Sequence, residues 1–125
     1  MTPTSQLDKS RLAAQVDARR AAFARDLKTI VEVPSVSAQS RHKDDIRRCA
    51  EVAADLVKAH GGTAEIVATA GNPVVVGEIV TDPKAPWVAI YNHMDVQPAE
   101  EGKDGWTRPP FTFSEEDGRY YGRGS

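Results

Sequence analysis

The chain has 125 residues, 27% of them charged and 40% drawn from the nine hydrophobic types; this is the size and balance of one globular domain, not of a disordered chain. Sixteen Lys and Arg against eighteen Asp and Glu leave a formal net charge of −2, without the basic footprint of a nucleic-acid binder or a polybasic membrane-surface protein. No apolar run approaches the roughly 20 residues that cross a bilayer, and Met1 to Asp8 has neither the basic segment nor the apolar core of a secretory signal. A cytoplasmic protein is the default expectation. Cys49 is the only cysteine, which excludes an intramolecular disulfide and a thiolate zinc cluster.

In chain order, the first regular stretch is helical. Leu12, Val16, Phe23, Leu27, Ile30 and Val31 recur at helical offsets and predict one apolar stripe. Ser10 or an earlier polar residue caps the start, and the Val33-Pro34 step ends the helix near residue 33. Residues 35–40 read as a loop rich in small hydroxyl side chains. A second helix is predicted from Lys43 to His60, with Asp44 and Asp45 complementing the dipole of its first turn and Gly61-Gly62 stopping it. Its apolar side is Ile46, Cys49, Ala50, Ala53, Leu56 and Val57.

The period then changes from near 3.6 to near 2. Thr63 to Ala68 and Pro73 to Val80 read as strands, and Trp87 to Tyr91 as a third, apolar enough to be central. Phe111 to Tyr121 reads as a hairpin turning near Glu116-Asp117-Gly118. Helix, helix, then several strands predicts one half of an α/β or α+β sheet domain. The last residues, Tyr121-Gly122-Arg123-Gly124-Ser125, form a Gly-rich turn directly after strand-like sequence. Functional loops sit at such places in α/β proteins, and the expectation is that the chain is the front portion of a larger protein.

His93 and Asp95 are the candidate chemical residues. They follow an apolar run directly, and side chains two apart on extended backbone point the same way. Both then project beyond the carboxyl end of a strand, where open α/β sheets bind ligands. A neutral imidazole is a zinc ligand, and a neighbouring carboxylate orients it and raises its basicity. On these two positions alone, a hydrogen-bonded loop histidine and a turn aspartate are the simpler reading.

The flanking sequence carries more. Tyr91-Asn92-His93-Met94-Asp95-Val96-Gln97-Pro98-Ala99 is followed by Trp106-Thr107-Arg108-Pro109-Pro110-Phe111 and then by Asp117-Gly118-Arg119-Tyr120-Tyr121-Gly122-Arg123-Gly124. This series resembles the di-zinc metallopeptidases that include carnosinase and other cytosolic dipeptidases, aminoacylase, acetylornithine deacetylase, succinyl-diaminopimelate desuccinylase and bacterial carboxypeptidase G. The wording is nearest the dipeptidase branch, and the resemblance covers roughly Ala21 to Ser125.

It implies an α/β fold: residues 1–125 as the amino-terminal part of a catalytic domain whose mixed, twisted sheet is covered by helices. Residues 1–33 and 43–60 would be its helices and 63–121 its strands and loops. It further implies His93 as the imidazole ligand of one zinc and Asp95 as the catalytic aspartate that orients the site. Two zinc ions per complete site are expected, with manganese or cobalt as substitutes. The remaining acidic ligands, the general base and a final histidine are expected downstream. The implied activity is hydrolysis of an amide bond in a dipeptide or acyl-amino acid by metal-activated water, with a homodimer as the complete protein's assembly. Asn92 departs from the family's usual Gly.

Other candidates read as structural. His42 reads as a solvated loop residue, His60 as a partner of the helix dipole and Cys49 as a small buried hydrophobe. Arg123 reads as organising its turn through an aspartate partner. Trp106 and Phe111 read as packing. Two other readings compete: a metal-free interaction module on the same half-sheet, and a nucleotide-binding α/β domain, whose glycine fingerprint is incomplete here.

Overall fold

A computed structural model describes residues 8–125; Met1 to Leu7, most of the segment read for a secretory signal, lie outside it. Asp8 caps the first helix, α1 (Lys9–Val31), by accepting hydrogen bonds on its carboxylate from the backbone N–H groups of Ser10 and Arg11. Two of the amides that a helix leaves unpaired are thereby satisfied. The helix ends at Val31 with Glu32 as its cap, three residues before Pro34, whose ring disfavours helical backbone in the residue before it.

The expected apolar stripe of α1 is buried only at its carboxyl end. Val31 is buried and Leu27 and Ile30 are half-buried, whereas Leu12, Val16 and Phe23 remain exposed. Periodicity sets which side chains share a face, but burial needs an element lying across that face, and α2 and the final hairpin reach only the later turns.

A short 3₁₀ turn, Ser40–His42, leads into α2 (Lys43–Ala59). Cys49, Ala50 and Ala54 are its buried residues, flanked by half-buried Ile46, Ala53, Leu56 and Val57. The small side chains let neighbouring backbone approach closely. The helix closes in a Schellman motif: the Gly61 N–H donates to the Lys58 carbonyl at 3.0 Å and the Gly62 N–H to the Val57 carbonyl at 3.0 Å. This requires left-handed backbone at Gly61, where φ is 85°.

Strands β1 (Thr63–Val67) and β2 (Val74–Glu78) pair antiparallel, with Thr63 opposite Glu78 and Val67 opposite Val74, and α2 packs on them. Strands β3 (Ser114–Glu116) and β4 (Arg119–Tyr121) form a second antiparallel pair. Asp117 and Gly118 turn it with φ of 51° and 71°, the type I′ geometry that matches strand twist. This hairpin leans on α1: Tyr120 lies between Phe23, with ring centroids 6.0 Å apart, and Phe113, at 5.5 Å. The Phe113 N–H donates to Glu32 Oε1 at 3.2 Å.

The expected third strand, Trp87 to Tyr91, is not formed. Residues 86–100 carry no strand, and Trp87, Val88, Ile90 and Tyr91 are exposed, Tyr91 by 92%. A strand exists through hydrogen bonds to a neighbour, and among the described residues the only paired strands are β1 with β2 and β3 with β4. An apolar run satisfies the side-chain condition for a central strand but not the backbone one.

Candidate metal and catalytic site

His93 and Asp95 do face each other. His93 Nδ1 lies 3.0 Å from the Asp95 backbone oxygen and 3.3 Å from Asp95 Oδ1. Both oxygens are acceptors, so Nδ1 carries the proton, and in the neutral form of the ring the lone pair lies on Nε2. Among the described residues Nε2 has no hydrogen-bond partner, and the side chain is 77% exposed.

The pair is held from a distant part of the chain. Ser37 Oγ donates to Asp95 Oδ2 at 2.5 Å, Ser35 Oγ donates to the Met94 carbonyl at 2.9 Å, and the Val96 N–H donates to the Ser35 carbonyl at 3.0 Å. Ser35 is only 2% exposed and Val36 only 1%, so this strap is rooted in the core. The Ser37 hydroxyl, more than any other group, holds the Asp95 carboxyl below the usual carboxylate range; partial burial opposes it and the His93 hydrogen bond and charge assist. Beneath lies Cys49, whose thiol is pushed up by burial, partly offset by the Ser35 hydroxyl and reinforced by the charge of Asp95.

Neither serine was marked by the sequence as more than loop. The available signal is only their spacing: two hydroxyls lie two apart beside a turn at 37–38, and both reach the segment at 94–95. Among the described residues, Gln39 Oε1 is buried without a partner beside an open cavity of about 380 Å³ that Val36, His42, Pro98 and Phe111 also line.

The remaining candidates take structural places. His42 is not the solvated residue expected: its Nδ1 lies 2.6 Å from Asp45 Oδ2, its Nε2 accepts from Arg41 Nε at 3.2 Å, and the side chain is mostly covered. The 3₁₀ turn folds it back over the first turn of α2, which periodicity does not reveal. His60 caps α2 and bonds through Nε2 to Asp26 of α1 at 2.8 Å. Cys49 is buried. Arg123 donates from Nε to the Gln97 carbonyl at 3.1 Å and lies over the Trp106 ring at 5.9 Å; its partner among the described residues is a backbone oxygen, not an aspartate.

The donor set suits one metal contact. An unprotonated Nε2 with Nδ1 bonded to a carboxylate is the usual arrangement of a metal-binding histidine. Among the described residues no three His, Cys, Asp or Glu side chains converge as a cation requires, so these residues offer one donor with its support. No helix among them is long and apolar enough to cross a membrane.

Comparison with known proteins locates the same segment. Residues 89–125, which contain His93 and Asp95, match the profile of Peptidase family M20/M25/M40. The whole chain is 31% identical to 28% of Beta-Ala-His dipeptidase from Rattus norvegicus. Over 42% of its length it is 48% identical to 11% of the Cys-Gly metallodipeptidase dug1 of Schizosaccharomyces pombe. The crystal structure of human carnosine dipeptidase 1 superposes with a TM-score of 0.76 at 34% identity, covering 89% of this chain and 26% of that one. The chain thus spans about a quarter of the length of the Beta-Ala-His dipeptidases it matches. Its helix-and-strand architecture is the one expected from the sequence, and over residues 89–125 the chain resembles peptidase family M20/M25/M40.

Proposed function

We propose that the protein is a zinc-dependent hydrolase that cleaves the amide bond of dipeptides or acyl-amino acids, with His93 as a zinc ligand and Asp95 as the catalytic aspartate. The observation that carries this reading is the bond between His93 Nδ1 and Asp95 Oδ1 at 3.3 Å, inside the segment that matches the family profile. Bound zinc supplies Lewis acidity toward the scissile carbonyl and acidifies water. The chain's own residues prepare for it. Asp95, kept ionised, holds the Nδ1 proton and so fixes the tautomer that leaves Nε2 free to donate, and its charge raises the basicity of that nitrogen. The dipeptide class is supported by the relatives, whose names specify Beta-Ala-His and Cys-Gly dipeptides. The proposal includes a cytoplasmic location and, from the family resemblance, a homodimer for the complete protein.

A catalytic zinc takes about three protein ligands, and residues 8–125 supply one, so this polypeptide alone holds zinc weakly and does not hydrolyse peptides. The test has two parts. In the full-length protein loaded with zinc, dipeptide hydrolysis should fall on the order of 100-fold in Asp95→Ala and vanish in His93→Ala; unchanged turnover in both refutes the reading. Calorimetric titration of the 125-residue chain should show no tight zinc binding, and submicromolar binding lost in His93→Ala would overturn the expected inactivity of this polypeptide alone.

A further inference from the structure

We infer that Ser37 is a positioning residue for the His93–Asp95 pair, acting through the carboxylate; this rests on the metal reading proposed above. The two oxygens of Asp95 are divided: Oδ2 receives the Ser37 hydroxyl at 2.5 Å and Oδ1 faces His93 Nδ1 at 3.3 Å. Carboxylate rotation about χ2 is broad and roughly two-fold, so a carboxylate bonded on one side only would swing away from the ring. The Ser37 bond removes that freedom, and with Oδ2 pinned, Oδ1 stays turned toward the imidazole. The anchor itself is fixed because the neighbouring Ser35 makes two further bonds to the same stretch, to the Met94 carbonyl and from the Val96 N–H, at 2.9 and 3.0 Å. Ser37 is exposed, so its hydroxyl is free to bond water; its commitment to Asp95 is therefore geometric, imposed by a strap whose preceding residue, Val36, is fully buried.

The relay runs from hydroxyl to carboxylate to imidazole, and its outer end is Nε2. In this relay Ser37 acts through the carboxylate and needs no contact of its own with substrate or metal. Its contribution is to keep the donor aimed, and groups that support metal ligands in this way are worth about 10-fold or more in metal affinity or activity.

The experiment is a zinc-affinity measurement by chelator competition on the full-length protein, with zinc alone as the probe, in Ser37→Ala, Ser37→Thr and His93→Ala. Ser37→Ala should weaken zinc binding about 10-fold and lower kcat with KM little changed, while exchange protection of the Val96 amide stays at its wild-type level. Ser37→Thr, which keeps the hydroxyl, should restore both affinity and kcat. Wild-type affinity in Ser37→Ala, alongside loss in His93→Ala, overturns the positioning role and leaves the metal reading standing. Undiminished zinc binding in His93→Ala removes the metal reading and the role of Ser37 with it.

Discussion

Replacing Ser35 by Ala removes one hydroxyl from the base of the candidate site, and its cost follows from what remains. The Ser35 carbonyl still accepts from the Val96 N–H at 3.0 Å, because that bond uses backbone. What disappears is the bond from Ser35 Oγ to the Met94 carbonyl at 2.9 Å. A neutral bond of this kind contributes about 1 kcal/mol net, and stranding a buried acceptor raises the cost to about 3. Met94 is only half-buried, so water can partly replace the hydroxyl, and the loss should be about 1–2 kcal/mol. Such a change alters a local opening equilibrium about 5- to 30-fold. The assay is hydrogen exchange at the Val96 amide of the full-length protein, which reads the opening of this strap directly. Ser35→Ala should accelerate it within that range, while amides in the middle of α2 keep their rates. Exchange at Val96 unchanged from wild type would show that the Ser35 hydroxyl does not hold the segment, and the account of how His93 and Asp95 are supported would fall with it.

Two further perturbations probe the surrounding structure. A Cβ added at Gly62 would lie 2.6 Å from the Glu78 carbonyl oxygen and 2.8 Å from both Val57 Cγ1 and Ile79 Cγ1. Glu78 is held by its pairing with Thr63 and cannot retreat cheaply, so Gly62→Ala should destabilise by about 1–3 kcal/mol; an unshifted thermal melt would contradict the close approach of α2 to the first sheet. The raised thiol of Cys49, due first to burial, makes the folded state hold a proton that the unfolded state releases. Its stabilisation is therefore complete below the ordinary thiol pKa of about 8.5 and declines as pH rises above it. Cys49→Ala should flatten that alkaline decline in urea titrations, and native protein should alkylate far more slowly than unfolded protein; equal alkylation rates would refute the burial.

Local features were legible in the sequence because their causes are local. The Gly61-Gly62 stop, the Asp117-Gly118 turn and the small-residue face of α2 each depend on residues within a few positions of one another, and each is where the pattern placed it. The Trp87 to Tyr91 stretch failed for the opposite reason, since strand formation depends on a partner that composition does not specify. His42 failed because the 3₁₀ turn brings Asp45 and Arg41 onto both ring nitrogens. At the candidate site, His93 and Asp95 lie together as their spacing suggests, but the strand expected to end just before them is not formed. The bonds from Ser35 and Ser37 could not be read from the sequence, because they span 59 and 58 residues.

That separation has a practical consequence for protein engineering. Grafting residues 91–99 onto another scaffold would transfer the motif without the buttress that gives it direction, and the imidazole would arrive as an ordinary surface side chain. A working transplant has to carry the connector between the two helices as well, so the smallest portable unit of this site is a pair of peptides rather than one.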